Sequence, residues 1–466
     1  MKHSSAASLA VSAPGKGLSR FVAWPDRHAA ALVRALLLMI ALPLVLGVAA
    51  WLGNVAFGGI STGNPVVTAF AAVVRFVSPS TRSDSWAPMI RAFDFIRGPH
   101  GDTLYATLFF ELHEKFQYPP TSLLWIDGLR HLMRIDTTTL NWVNAGVFLL
   151  NVAGSILLCR EIVRRGMASS LVEQAPVRLA VLVGALCFVF WPVIYGFTIG
   201  QIQLWIDCLF TGALLLWSKD RKIAAGIAIG LACTIKPQLG LLLPWALLWR
   251  EQRFAAGLAA TIVAALLVSV ARYGLASHIH YLDVLSYLSR HGESFRANQS
   301  VNGLMNRLLS NGDNLHWHAD DFPPFLAAVY WPTLLSGLLL SAIPFALAIL
   351  RRRRRPGLID LSIGGLCFTM ASPIAWEQHY GIVLPIYIAA ICMILSQRPA
   401  SRPRIVLGLL IASWCLVGSN LQILNLFSTT WLNVLQSYVF IGALLLLGVL
   451  VSISRPEASE MARYAR

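Results

Sequence analysis

Long apolar runs alternate with short polar ones along nearly the whole of this 466-residue chain. Runs of about 18 or more apolar residues recur, the length a helix needs to cross about 30 Å of hydrocarbon. The pattern predicts helices near 33–54, 139–160, 179–198, 201–217, 223–236, 238–249, 254–273, 326–350, 357–371, 376–396, 403–422 and 432–453. Two of these segments, GIAIGLACTI and LGLLLPWALLW, are too short to cross alone and meet at Lys236 and Pro237. They predict a broken hairpin in the membrane's outer half, where irregular backbone is tolerated only against protein or a cavity.

Composition agrees with a membrane protein. The chain is 56% hydrophobic and 13% charged, with a mean hydropathy of +0.64, against roughly 25% charged residues in soluble domains. Lys and Arg number 37 against 22 Asp and Glu, a net charge of +15. In a soluble chain such an excess would suggest nucleic acid. Here it falls between apolar runs, as in the RRRRR stretch at 351–355, and marks cytoplasmic loops, so no nucleic-acid partner is expected. Placing every basic cluster inside predicts about 12 crossings with both termini cytoplasmic. The expected organisation is a tail over 1–30, a single transmembrane domain over 31–455 and a tail over 456–466. The first apolar run is expected to be a retained helix, since no clear cleavage site follows it. The seven cysteines are scattered singly, without the spacing of a disulfide framework or a zinc site.

Two segments on the outer side are long, 58–138 and 274–325. The first contains SWAPMIRAFDFIRG and TLYATLFFELHEKF, whose apolar residues recur at helical spacing opposite charges. They predict amphipathic helices at the membrane interface. PPTSLLWIDGLRHLMRI is expected to be interfacial too, because a crossing there would put the 160–178 basic cluster outside. No matched pair of broken helices marks the two halves as an inverted-repeat transporter.

This topology puts the unusual polar residues on one side. Asp84 lies in the first outer segment, Gln201 and Gln203 in GQIQ at an outer turn, and Lys236 at the hairpin tip. Asn298 and Gln299 lie in the second outer segment, and Glu377 and His379 in SPIAWEQHY at another outer turn. An ammonium in an apolar hairpin is costly without an anion nearby. A loop carboxylate can serve as general base, a lysine and a histidine can hold a phosphate leaving group, and carboxamides suit sugar hydroxyls. A proton relay would ask for several acids within the helices; Asp207 and Asp360 are the main ones here.

The motifs DSWAPMIRAFDFIRG at 84–98, DTLY at 102–105, FQYPP at 116–120, GQIQ at 200–203, IKP at 235–237, NQSVNGLMNRLL at 298–309 and SPIAWEQHY at 372–380 resemble, in order, segments of glycosyltransferase family 87. The resemblance implies an all-α polytopic GT-C-like bundle and a site at the outer membrane face. It implies inverting transfer of a hexose, mannose in particular, from a polyprenyl-monophosphate carrier to a glycolipid or glycan acceptor, without a metal or other cofactor. Asp84 is the implied base, with Asp94 and Asp102 as alternatives in a different register. Lys236 and His379 would hold the donor phosphate, and Arg91, Tyr118, Gln201, Gln203, Asn298, Gln299 and Glu377 would contact substrate. Pro88, Gln203 and Gln378 stand where the family often has other residues. A bacterial inner membrane with the site facing the periplasm is the expected setting. A flippase of lipid-linked saccharide, and a polymerase or ligase of lipid-linked glycans, are the other readings.

Overall fold

The computed structural model describes residues 27–59, 64–166, 175–318, 322–352, 354–396 and 403–454. Most of the expected N-terminal tail, the whole C-terminal tail and parts of several basic clusters lie outside these residues. All twelve expected segments are helical, and no strand occurs among the described residues.

Length separates these helices into two groups. Among the described residues, six are long and apolar enough to cross a membrane: Ala29–Ala56, Thr137–Arg165, Gln252–Tyr273, Ala327–Leu350, Glu377–Leu395 and Trp431–Ile453. A seventh span arises if Pro176–Val189 and Trp191–Ile199, bent by 62°, count as one. The break has a local cause: Pro192 has no N–H to continue the ladder, and Phe190 turns extended before it. The expected count of about 12 crossings is not confirmed among the described residues, since the other apolar helices, such as Leu358–Met370, have only 10–17 residues. At 13 residues that helix rises about 20 Å, short of about 30 Å of hydrocarbon. Every residue from Ile359 to Met370 is buried, so its neighbours, rather than lipid, meet its flanks. Asp360 sits in its first turn, held by Arg354 at 2.6 and 2.7 Å, which makes it an ion-paired cap.

The helices form one apolar core. The Glu377–Leu395 span lies at its centre, 83% of it buried, whereas Ala327–Leu350 is 22% buried and lies at the periphery. Centrality matters for the site, since the N-terminal end of the first of these carries SPIAWEQHY.

The outer segments are more helical than their sequence suggests. Trp86–Ile96 forms as expected, but its apolar face, Trp86, Met89, Ala92, Phe93 and Ile96, is buried against protein rather than left for lipid. The second expected piece shortens to a wide turn over Tyr105–Glu111, and PPTSLLWIDGLRHLMRI contains a 3-10 turn Pro120–Ser122 and the helix Leu123–Leu129, too short to cross. Pro65–Val74, Leu275–His291 and Val301–Leu308 are helices within what read as loop. The hairpin breaks where expected. Lys222–Cys233 ends, Lys236 is extended, and a 3-10 turn Pro237–Leu241 leads into Leu242–Leu248.

One glycine holds the outer turn together. Gly200 has φ +75°, and a Cβ there would stand 2.5 Å from the Arg82 carbonyl oxygen. We predict that Gly200→Ala costs about 2 kcal/mol or more, from the left-handed backbone plus the overlap. It should lower the thermal midpoint of the detergent-solubilised protein. Gly212→Ala, in a helix with open space around that position, should leave the midpoint unchanged or raise it.

Candidate active site

Asp84 is held by backbone and by a small side-chain network. Its N–H donates to the Ile199 carbonyl at 3.0 Å, and the Ser85 N–H donates to that of Gly200 at 3.2 Å. The first outer segment is thereby spliced onto the turn that carries Gln201. Ser85 Oγ lies 3.1 Å from the Ile202 N–H, 3.0 Å from the Tyr118 hydroxyl and 2.8 Å from Gln201 Oε1. A hydroxyl offers one hydrogen and two acceptor positions. With Ile202 and Tyr118 donating to it, Ser85 donates to Gln201 Oε1. That sets the orientation of the Gln201 amide, and its Nε2 donates to Asp84 Oδ2. Asn141, reaching from the helix Thr137–Gly166, accepts from the Trp86 indole at 2.9 Å and donates to the Ser80 and Arg82 carbonyls, tying the segment down.

A second splice builds the opposite wall. Residues 297–299 pair antiparallel with 375–377: Gln299 N–H to the Ala375 carbonyl at 2.7 Å, and Glu377 N–H to the Ala297 carbonyl at 3.0 Å. Asn298 Oδ1 accepts from Ala375 N–H at 3.0 Å, and its amide donates to Glu293 and Pro373 carbonyls. Gln299 donates to the Arg296 and Gln436 carbonyls and accepts from the Val439 and Phe440 N–H groups. On the splice, Glu377 accepts from the Trp191 indole at 2.9 Å, with Arg296 at 3.8 Å. The Trp376 N–H donates to His379 Nδ1 at 3.2 Å. Nδ1 being the acceptor, the ring proton sits on Nε2, which is left as a donor.

Between the walls is a cavity of about 750 Å³, within the usual range for ligand sites. Six expected site residues line it: Asp84, Arg91, Tyr118, Gln201, Lys236 and His379. The other four do not. Asn298, Gln299 and Glu377 are buried in the second wall, and Gln203 is buried beside Asp207, to which it donates at 2.8 Å. Asp94 and Asp102 are exposed on the outer segment and do not line the cavity, which leaves Asp84 as the expected base that does.

Several lining residues carry no signal that sequence reading used. Lys115 is packed over the Phe322 and Trp317 rings at 4.1 and 5.0 Å and lies 3.4 Å from Glu293, joining the first outer segment to the second. Arg91 pairs with Glu114, which also lines the cavity. Tyr195, Gln238, Trp317 and Gln378 complete much of the lining. The helical spacing at 84–98 pointed to an amphipathic face, but which residues meet the cavity depends on the long-range splices.

Asp84 is exposed to the cavity interior while protein walls it on most sides. That enclosure raises its carboxyl above the ordinary value, and the Gln201 hydrogen bond opposes the rise by favouring the carboxylate. Burial likewise raises the Tyr118 phenol, so it stays a neutral hydrogen-bond donor. Among the described residues no group of three or more His, Cys, Asp or Glu could hold a metal ion.

The sequence profile of glycosyltransferase family 87 matches residues 116–373, more than half of the chain. The chain belongs to that family. The matched stretch contains Tyr118, Gln201, Gln203, Lys236, Asn298 and Gln299, while Asp84, Arg91, Glu377 and His379 lie outside it. No curated protein and no solved structure matches the chain.

The geometry separates lining from wall. Gln299→Ala removes both ends of a fully buried carboxamide and leaves the Val439 and Phe440 N–H groups without that acceptor. Unsatisfied buried groups cost about 1–3 kcal/mol each, so we expect a large loss of folded yield by size-exclusion chromatography. Lys236→Gln, half-buried at the cavity, should elute as wild type does.

Proposed function

Starting from membership of this glycosyltransferase family, we propose that the chain transfers a hexose, mannose in the first instance, from a polyprenyl monophosphate to a hydroxyl of a lipid-linked or glycan acceptor. The observation that carries this reading is the sharing of one cavity by Asp84, Lys236 and His379, brought together from three distant segments. The reaction is a single displacement. The acceptor oxygen forms a bond to the anomeric carbon on the face opposite the phosphate, and its proton passes to Asp84. The bond from the anomeric carbon to the phosphate oxygen breaks, and the electron pair leaves with polyprenyl phosphate, so configuration inverts. Asp84 has the carboxylate for this task, and Gln201 keeps it oriented and favours its charged form. The Lys236 ammonium and the His379 Nε2–H are suited to the charge that grows on the leaving phosphate. Tyr118, neutral, supports Ser85 and through it Gln201. In a bacterial inner membrane the cavity would face the periplasm.

The test is transfer from a polyprenyl-phospho-mannose to a glycolipid or glycan acceptor by purified protein. Asp84→Asn should retain donor binding and lose about 10²–10⁴-fold in turnover. Near-wild-type turnover by that variant would remove Asp84 from the mechanism.

The pH dependence follows from the same carboxylate. A base works only when ionised, and Asp84 is raised above its ordinary value by enclosure. Turnover should therefore rise with pH through a midpoint above the usual aspartate value of about 3.9 and level off beyond it. Gln201→Leu removes the hydrogen bond that lowers this pKa, so its midpoint should move to still higher pH. A midpoint that stays put or falls in the pH–rate profile would separate Gln201 from the base.

A further inference from the structure

Among the described residues, one cavity-lining side chain has a polar atom that is buried and yet has no hydrogen-bond partner. Gln378 lines it and is only 5% exposed, yet its Oε1 is enclosed without a hydrogen bond. Among the described residues it is the only cavity-lining side chain with such an orphaned buried atom. Buried carboxamides are ordinarily paired, and its neighbours are. Gln201 is engaged at both ends by Ser85 and Asp84, and Asn298 and Gln299 are engaged at both ends within the wall. Orphaned carboxamide ends also occur in the buried interior, at Asn144, Gln203, Asn433 and Gln436, but none of those residues faces the cavity, where a ligand could supply the missing partner.

Its position is also well defined. Gln378 lies between Glu377, whose N–H donates to the Ala297 carbonyl at 3.0 Å, and His379, whose N–H donates to that of Trp376 at 2.8 Å, so the backbone on both sides is held. The side chain begins against Gly196. A Cβ on Gly196 would stand 3.3 Å from Gln378 Cβ and 3.9 Å from Gln201 Cβ. The missing side chain leaves room for both glutamines against Gly196, and Gln201 is the one that holds Asp84. Gln378 therefore stands beside the base's support, next in sequence to the residue assigned to the phosphate.

We infer that Gln378 reads a ring hydroxyl of the sugar in transit and is a specificity-determining residue of this cavity. The inference rests on the transfer reading above. A hydroxyl both donates and accepts, as a carboxamide does, and a half-turn of the amide exchanges its two ends. Either way it matches a neutral polar group, whereas the phosphate is better served by Lys236 and the His379 N–H. A sugar bound between Asp84 and the phosphate site would bring its hydroxyls within this neighbourhood.

The experiment compares polyprenyl-phospho-mannose with its 2-, 3-, 4- and 6-deoxy forms as donors. Wild type should lose about 10- to 100-fold in kcat/KM with one of the four, as a site built to pair a hydroxyl rejects the analogue lacking it. Gln378→Leu should lose a comparable factor with the natural donor and then treat that deoxy donor and the natural one alike. Gln378→Asn, which withdraws the amide by one methylene, should lose the same discrimination and serves if the leucine variant does not fold. Discrimination against the deoxy donors that survives unchanged in either folded variant would overturn the assignment while leaving the transferase reading intact. A merely structural role would lower turnover with all five donors equally, and that result would also overturn it. If wild type transferred no sugar from any polyprenyl-phosphate donor, the transferase reading itself would fall, and this inference with it.

Discussion

Backbone that leaves its helices at one end of a membrane bundle must find hydrogen-bond partners within the protein, and this constraint shapes the site. Two short splices meet it. One joins Asp84 and Ser85 to Ile199 and Gly200, and the other joins residues 297–299 to 375–377. Neither is long enough to be a sheet. Each connects segments far apart in the chain, and each places a cavity-lining side chain as a consequence: Asp84 on the first, His379 just beyond the second. Gly200 permits the first by its left-handed backbone, and Asn298, Gln299 and Tyr380 reinforce the second with side-chain bonds to main-chain atoms.

The two splices also explain how polar residues divide between support and contact. Gln201 and Gln203 stand two positions apart in GQIQ, yet the first faces Asp84 and the second faces Asp207. The helix Gln203–Ser218 starts between them, so one side chain leaves from the turn and the other from the bundle interior. Asp207 is packed so closely against the second wall that a Cβ on Gly381 would lie 2.0 Å from its Oδ2. It belongs to the floor that carries the site. Glycosyl transfer needs the acceptor, the base and the departing phosphate in line, and a rigid floor beneath two pinned walls suits that requirement.

Much of the fold was legible from apolar periodicity, because long runs such as Leu32–Leu52 and Ala327–Leu350 have few alternatives to a helix. The crossing count was not, since Leu358–Met370 and Gln203–Ser218 are as apolar as full spans but need not meet lipid along their length. Leu275–His291 read as loop because its charges and histidines interrupt the apolar spacing; its buried residues are Ser277, Tyr281, Val284 and Leu288. Asp84, Gln201, Lys236 and His379 were expected on one side of the membrane, and they do share one cavity. Asn298, Gln299 and Glu377 were assigned to substrate, but their partners at Gln436, Val439 and Trp191 are long-range and invisible in a linear reading. Gln378 drew notice only as a departure from a pattern, and its lack of a partner is a property of the folded chain.

The most direct test is a density map of the protein with a polyprenyl-phospho-sugar bound. The account predicts the phosphate within hydrogen-bond reach of Lys236 Nζ and His379 Nε2, with the anomeric carbon on the side of Asp84. A donor phosphate bound elsewhere in the protein, with this cavity empty of sugar, would contradict it.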